Sequence, residues 1–358
     1  MAKVDGIVYL NPEKTQKLCE QIFEGAGAKP EHAAIVADNL IQADLRGVES
    51  HGVSRVMVYC QRLESGLTNK NPDMKIVEDK GGTFVMDADD GLGSVAGVKA
   101  MDLCIERAKK TGVAVASVRN GTHFGIAAYF AMRALPENMI GISLTNAPPT
   151  MAPWGSISPI IGTNPICFAI PASKHPPIVL DEATSVVARG KINLAEIENI
   201  PIPDGWAMDK DGNPTNNATE ALAGSVLPFG TYKGSGLSII VDILCAMLSG
   251  AQYGTHIGNL YANGETKQNL GYFFCAMDIA AFTNPEIFAS RVDQMIEEIQ
   301  ASKKAPGVEQ IFVPGEIEWN NEKISRAEGL PIGPGVIADL EKLCEKYQTQ
   351  MKPMDCVM

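Results

Sequence analysis

The stretch "RGVESHGVSR", residues 46–55, sets a histidine and two arginines among serines and glycines, in a chain with only five histidines. On a helix, residues four apart have Cβ atoms about 5–6 Å from one another on one face. His51 and Arg55 have that spacing. A guanidinium can grip a small carboxylate with two hydrogen bonds while a neighbouring imidazole moves a proton. A second histidine, His123 in "NGTHFGIAAYF", lies between a strand pattern and a helix pattern, where loops carry chemistry. "LDEATSVVARGKI" places Asp181, Thr184 and Ser185 at a strand end. "LPFGTYKGSGL" places Lys233, with Gly234 after it, directly before a helix. Backbone amides, a lysine and a helix start suit phosphate. The glycine- and proline-rich "PWGSISPIIGTNPICFAIPA" offers further free amides and hydroxyls.

Familiar nucleotide-binding and metal-binding patterns are absent. "DGLGSVAG" has glycines at 91, 93 and 97, one position too long for the dinucleotide fingerprint. The following strand ends in Arg119 rather than an acid for the ribose. It reads as a tight strand-to-helix turn. The GK[ST] order of a phosphate-binding P-loop is missing around Lys233. Without an HExxH pair, a cysteine cluster or an EF-hand loop, no metal site is expected.

The elements that must hold these residues follow from periodicity. "NPEKTQKLCEQIFEGAG" has Asn11 as N-cap, Pro12 in the first turn and Leu18, Cys19, Ile22 and Phe23 at helical spacing. "PEHAAIVADNLIQADLRG" repeats the design. A third helix is expected from near Gly52 to Glu64, with His51 and Arg55 at its start. "TFVMDADD", "VAVASVRN", "MIGISLTNA", "PICFAIPA", "PIVLDEATS" and "GYFFCAMDIAAF" read as strands. Helices are expected near 94–110, 125–135, from 232 onward, and at 285–303 and 335–348. The pattern predicts an α/β fold. Residues 76–241 form a central cofactor-binding domain, flanked by a helical lobe made of residues 1–75 and 242–358.

The chain has 358 residues, 45% of them hydrophobic, and a net charge of −12. That supports a sizeable core and argues against a nucleic-acid partner, which would want a basic face. The eight cysteines contain no CxxC pair and read as reduced, buried side chains of a cytoplasmic protein. "LSIIVDILCAML" is too short for the roughly 20 residues of a membrane span, so no membrane partner is expected.

With these pieces in order, the chain resembles the malate/L-lactate dehydrogenase family that is distinct from the Rossmann-type enzymes. "DLRGVESHGVSRVMVY", "GTHFG", "GTNPICFAIP", "DEATS", "PFGTYKGSGL" and "VPGE" occur in the family's order. The resemblance implies a homodimer with its own sheet topology, not a Rossmann fold. It implies hydride transfer between NAD or NADP and a small 2-hydroxy or 2-oxo acid, foremost malate/oxaloacetate or lactate/pyruvate. Same-fold alternatives act on ureidoglycolate, sulfolactate, diketogulonate or a cyclic imino acid. An alternative of another class is a non-redox protein that binds nucleotides or carboxylates.

Position by position, the resemblance makes Ser50 and His51 the catalytic pair, Arg55 the carboxylate clamp and His123 a second acid/base. Thr163, Thr184 and Ser185 fall at substrate-side positions. His123, Phe124, Gly125, Ile126, Ala127, Asp181, Glu182, Ala183, Lys233, Gly234, Pro314, Gly315 and Glu316 would meet the cofactor. Family members with an acid near position 191 use it in a charge relay; this chain has Lys191 there. The proton donor is His51 or His123, and the spacing to Arg55 favours His51. Lys174, in "PASKHPPIVLDEATS", would favour NADP if its turn faces the adenosine ribose.

Overall fold

The computed structural model describes residues 6–197, 199–261 and 266–358. Its centre is a seven-stranded sheet. The strands are β1 (Lys75–Asp79), β2 (Thr83–Asp87), β3 (Val113–Gly121), β4 (Met139–Thr145), β5 (Ile166–Ile170), β6 (Ile178–Glu182) and β7 (Leu270–Asp278), in spatial order β1-β2-β3-β7-β4-β5-β6. Only β2 and β3 run parallel. All other neighbours are antiparallel. A Rossmann sheet is mostly parallel, so this topology excludes one.

The division at residue 242 needs a correction. β7 comes from the segment assigned to the helical lobe, yet it sits mid-sheet, with Phe274 opposite Ala116 of β3 and Ser143 of β4. Its apolar character suits a strand covered on both faces.

Four helices lead up to the site: α1 (Pro12–Gly25), α2 (Pro30–Leu45), α3 (Val56–Glu64) and α4 (Gly93–Thr111). Asn11 caps α1 by accepting from the Lys14 N–H at 3.0 Å. The later helices include α5 (Tyr232–Asp242), α6 (Pro285–Ala301), α7 (Glu316–Glu328) and α8 (Pro334–Tyr347). Leu18 and Ile22 of α1 share one core with Leu340 and Cys344 of α8, so the two ends of the chain do meet. The same core runs on into α4 and β3 without a break. A smaller core of Met151, Ile192, Ile202, Ala207 and Val226 fills a satellite beside a three-stranded sheet. All eight cysteines are buried and unpaired. Among the described residues, no helix is long and apolar enough to cross a membrane.

The glycines of "DGLGSVAG" do packing work. A Cβ at Gly93 would lie 2.4 Å from the Thr122 carbonyl oxygen, and one at Gly97 would lie 2.4 Å from the Phe130 ring. They let α4 press against the loop that carries His123.

Candidate active site

The link from α2 to α3 is not the start of a regular helix. Two 3₁₀ turns, Glu49–His51 and Val53–Arg55, precede α3. The expected helical i, i+4 face for His51 and Arg55 is therefore replaced by a folded turn. Asp44, at the end of α2, sets that turn: its carboxyl accepts the Val53 N–H at 2.8 Å. Gly52 is required there, because a Cβ would lie 1.7 Å from Asp44 Oδ1. Burial pushes the Asp44 pKa up to about 8, the Val53 N–H opposes that shift, and Glu49 adds to it.

The turn still gathers the expected side chains. Ser50 Oγ lies 2.9 Å from His51 Nδ1, so the hydroxyl fixes the imidazole and leaves Nε2 free. Arg55 Nε donates to the Ser50 carbonyl at 2.6 Å. Its Nη1 touches the Tyr261 hydroxyl, and its guanidinium lies 5.6 Å from that ring's centroid.

His123 comes from the end of β3 and meets His51 ring to ring, with centroids 5.4 Å apart and planes 28° off parallel. Tyr59, one turn along α3 from Arg55, reaches His123 Nδ1 at 2.6 Å. The Gly125 N–H also donates to Nδ1, at 3.4 Å. An amide can only donate, so Nδ1 is the acceptor and the neutral ring carries its proton on Nε2. The His123 N–H donates to buried Gln268 Oε1 at 3.0 Å. Asn39 of α2 donates to the Phe124 carbonyl at 3.1 Å, tying this loop to the helical hairpin.

Both imidazoles are disposed to stay neutral. Burial, then the Arg55 charge, pushes the His51 pKa down to about 4. Burial, His51 and Arg55 push His123 well below the usual histidine range. Three adjacent groups of like sign cannot all be charged without an anion among them.

The remaining candidates converge on the edge strand β6 and the residues that follow it. Asp181 accepts the Ala128 N–H at 2.7 Å, joining β6 to the segment after His123. Asp181 is open to solvent along one side, but the atoms packed around its carboxyl, with Glu318 and Glu182, push its pKa up to about 6, against the Ala128 N–H and Arg46. The Val179 N–H donates to the Pro314 carbonyl at 3.0 Å. Gly315 has φ +90°, and a Cβ on it would lie 2.9 Å from Val179 backbone atoms. A Cβ on Gly234 would lie 2.4 Å from the Phe229 carbonyl oxygen and 2.7 Å from that of Thr184. Lys233 beside it is exposed. Close backbone approach of this kind, beside an exposed lysine, fits a phosphate-bearing dinucleotide. Phe124, Ile126 and Ala127 are buried, so they can offer a ligand only backbone. Glu182 and Pro314 are exposed and Ala183 is half-buried. Glu316 is engaged by protein groups, accepting from Val313 and Gln310 of its own loop and from Gln300 of α6.

Two substrate-side residues are placed differently from a simple reading. Thr184 is buried and donates to the Thr163 carbonyl at 2.9 Å. Ser185 donates to the Val187 carbonyl at 2.8 Å. Both hydroxyls are committed to backbone and keep only acceptor capacity. Lys191 is exposed at the start of the helix Arg189–Ile197. Its neighbour Gly190 faces Ser50, at 3.4 Å between a built Cβ and the serine Cβ.

The geometry agrees with what the chain is similar to. A family model described as malate/L-lactate dehydrogenase matches residues 10–341. The chain belongs to the malate/L-lactate dehydrogenase family. An L-sulfolactate dehydrogenase of Methanocaldococcus jannaschii is 42% identical over 94% of this chain and 96% of that protein. The solved structure of a sulfolactate dehydrogenase from that organism superposes with a TM-score of 0.91 at 41% identity, covering 97% of this chain and 99% of that one. A malate dehydrogenase of Pyrococcus abyssi is 42% identical over 91% of each chain. A ureidoglycolate dehydrogenase (NAD(+)) of Escherichia coli is 35% identical over 90% of this chain and 92% of that protein. As a family member, the chain is a dehydrogenase with a fold of this family's own.

Sequence reasoning missed Asp44, Tyr59, Gln268 and Tyr261. Tyr59 had a signal: it lies four residues beyond Arg55, on the same side of α3. The other three depend on tertiary contacts that no local pattern announces.

Proposed function

We propose that this dehydrogenase interconverts a small 2-hydroxy acid and its 2-oxo acid, with malate/oxaloacetate or lactate/pyruvate as the first candidates. The observation that carries the reading is the cluster of Arg55, His51 and Ser50 facing His123. A nicotinamide dinucleotide, NAD or NADP, supplies the hydride chemistry when bound. Its residues here are those along β6: Asp181 to Ala183, the Lys233–Gly234 turn and the Pro314–Gly315 loop.

Arg55 holds the substrate carboxylate. That anion neutralises the cation beside His51 and makes the imidazole a better base, so the site acquires its base when substrate arrives. His51 then accepts the hydroxyl proton during oxidation and returns it to the carbonyl oxygen during reduction. Ser50 holds the His51 ring. His123, a neutral donor at Nε2, is placed to hydrogen-bond the same oxygen. Lys191 cannot act as the acid of a charge relay, so His51 relies on Ser50 for orientation.

Relatives named for malate and for sulfolactate support a substrate with a second acidic group. The test is a panel of malate, sulfolactate, lactate and ureidoglycolate, and their oxo forms, followed at the NAD(P)H absorbance band. If no member of the panel oxidises or reduces the nicotinamide, the reading fails.

The partner is proposed to be a second copy of the chain. Ile240, Ile243, Met247 and Leu248, on α5 and the turns that follow, are exposed at helical spacing. An apolar stripe of this kind marks an interface. A single monomeric mass at micromolar concentration in light scattering would contradict it.

A further inference from the structure

Behind His123 lies a small cavity that the proposed reaction leaves unexplained. Arg62 is on α3, one turn beyond Tyr59 and two beyond Arg55. It is 3% exposed. Its Nη1 donates to the carbonyls of Asn259 and Leu260, at 3.3 and 3.2 Å. Among the described residues, its Nε and Nη2 are buried without a hydrogen-bond partner. Gln268 is 0% exposed. Its Oε1 accepts the His123 N–H, and its Nε2 is likewise buried without a partner. Both side chains line one small cavity, with Tyr59, Thr122, His123 and Leu260 among its other walls. The cavity has room for a single small occupant, about 10 Å³.

The chemistry of the walls defines that occupant. A buried N–H without an acceptor is costly, and more so on a charged group, so unpaired donors on two side chains that line one space call for an acceptor. Asp90 is the acid whose charge acts on Arg62, but its Oδ2 is engaged by Lys267 Nζ at 2.6 Å. Among the described residues, no carboxylate is in contact with the buried guanidinium without another cation on it. A water could accept two of the N–H groups, but it would then need acceptors for its own two hydrogens. The Thr122 hydroxyl, which donates to the Gly91 carbonyl at 3.0 Å, still has a lone pair for one of them, but a neutral water would leave the guanidinium charge unmatched. An acceptor-only occupant with negative charge satisfies the donors and the guanidinium together.

We propose that this cavity is a binding site for one small monovalent anion of halide size, held by Arg62 Nε and Nη2 and by Gln268 Nε2. The anion fixes Gln268, and through it the His123 backbone. It also places a negative charge beside the Tyr59–His123 hydrogen bond, where it favours a protonated imidazole. That opposes burial, His51 and Arg55. The site itself does not depend on which substrate the enzyme turns over.

The test uses the full-length protein. In crystals soaked in bromide, anomalous scattering should place one ion against Arg62 and Gln268. In solution, chloride should raise Tm by a few degrees over gluconate at equal ionic strength, because gluconate is too large for the cavity. The informative variant is Gln268→Glu, which keeps an acceptor for the His123 N–H and turns a carboxylate oxygen toward Arg62. It should be folded in gluconate and lose the chloride effect. Arg62→Met should lose the chloride effect too, from a lower starting Tm. Wild-type protein that melts alike in the two salts overturns the proposal, as does a soaked crystal with no bromide at this position. A chloride effect of undiminished size in Gln268→Glu would show general salt action and overturn it as well.

Discussion

The catalytic turn and the cofactor edge are built from different materials. At residues 44–55 side chains do the work: Asp44 clasps Val53, Ser50 meets His51, and Arg55 is anchored on the Ser50 carbonyl. Along β6 the work is done by backbone and by missing side chains: Gly315 lies against Val179, Gly234 against Thr184, and the Ala128 amide on Asp181. The first region should therefore fail by losing functional groups, and the second by gaining atoms.

The largest expected effect is at His51. Removing a general acid/base costs on the order of 10²–10⁴ in rate. His51→Ala should lose that much kcat while NAD(P)H fluorescence titration shows unchanged cofactor binding, since the cofactor edge is untouched. The same measurement on His123→Ala decides between the two histidines. A larger kcat loss there, with binding intact, would transfer the proton role to His123. pH offers a second view. Oxidation needs a neutral imidazole, and His51 is pushed down to about 4. The acid limb of kcat/KM should then lie well below the ordinary histidine value of about 6.5. The same depression makes stability fall as pH drops from about 6.5 toward 4, because the unfolded chain binds the proton that the folded site resists.

Arg55→Ala comes next. Truncating one partner of a charged, hydrogen-bonded contact costs roughly 2–5 kcal/mol. The loss should appear in kcat/KM for the oxo acid, mainly through KM. Arg55→Lys should recover little, since the fork that grips a carboxylate is gone. A normal KM in the alanine variant would remove Arg55 as the clamp. It would also make the Tyr261 contact the better account of that side chain.

The two regions also differ in how far they could be read before the fold was known. His51, Arg55, Ser50 and His123 were visible because rare, chemically active types stood at short spacings, and the fold brings them together. The glycine at 315 was legible only through resemblance, and that at 234 only as part of a lysine–glycine turn before a helix. What demands glycine at 315 is the strand backbone at Val179, far away in sequence; at 234 it is the Phe229 carbonyl close by together with that of Thr184. The fold shows the same split. Strands with apolar runs were recognised. Lys75–Asp79 was not, because all five of its residues are exposed and it carries no buried alternation. The helix Glu316–Glu328 was passed over for a similar reason: only Ser325 is buried along it. Asp44 stayed hidden because a buried aspartate in an apolar helix looks like any polar residue until the turn it clasps is in view.

Gly315→Ala tests the cofactor edge from the opposite direction, by adding one methyl group. At φ +90°, with Val179 backbone atoms 2.9 Å from the new carbon, the loop must shift. Strain at such a position costs of order 1–3 kcal/mol. The expected result is a raised KM for NAD(P)H with kcat at saturating cofactor largely kept, because His51 and Arg55 do not move. A kcat loss matching that of His51→Ala would mean that the two regions are not separable.

The smallest expected effect is at Lys174. Its turn is held by backbone: the N–H groups of Ser173, Lys174 and His175 all donate to Asp293 of α6. Burial works against the Asp293 carboxylate, but those donors hold its pKa below the usual range. The Lys174 side chain itself is exposed. The turn precedes β6, whereas Asp181 is near the strand's other end, and Gly315 touches the strand between them at Val179. A dinucleotide that followed β6 from the Gly234 end would bring its adenosine toward this turn, where the lysine could pair with a 2′-phosphate. An exposed ion pair is worth only about 0.2–1 kcal/mol. Lys174→Glu should therefore change the ratio of KM for NADPH to KM for NADH by no more than several-fold, in favour of NADH. Tm should stay put, since the variant keeps every amide that holds Asp293. An unchanged ratio would take Lys174 out of cofactor choice. The preference for NAD or NADP would then lie with the backbone and glycines of the β6 edge, the part of the site that side-chain types announce least.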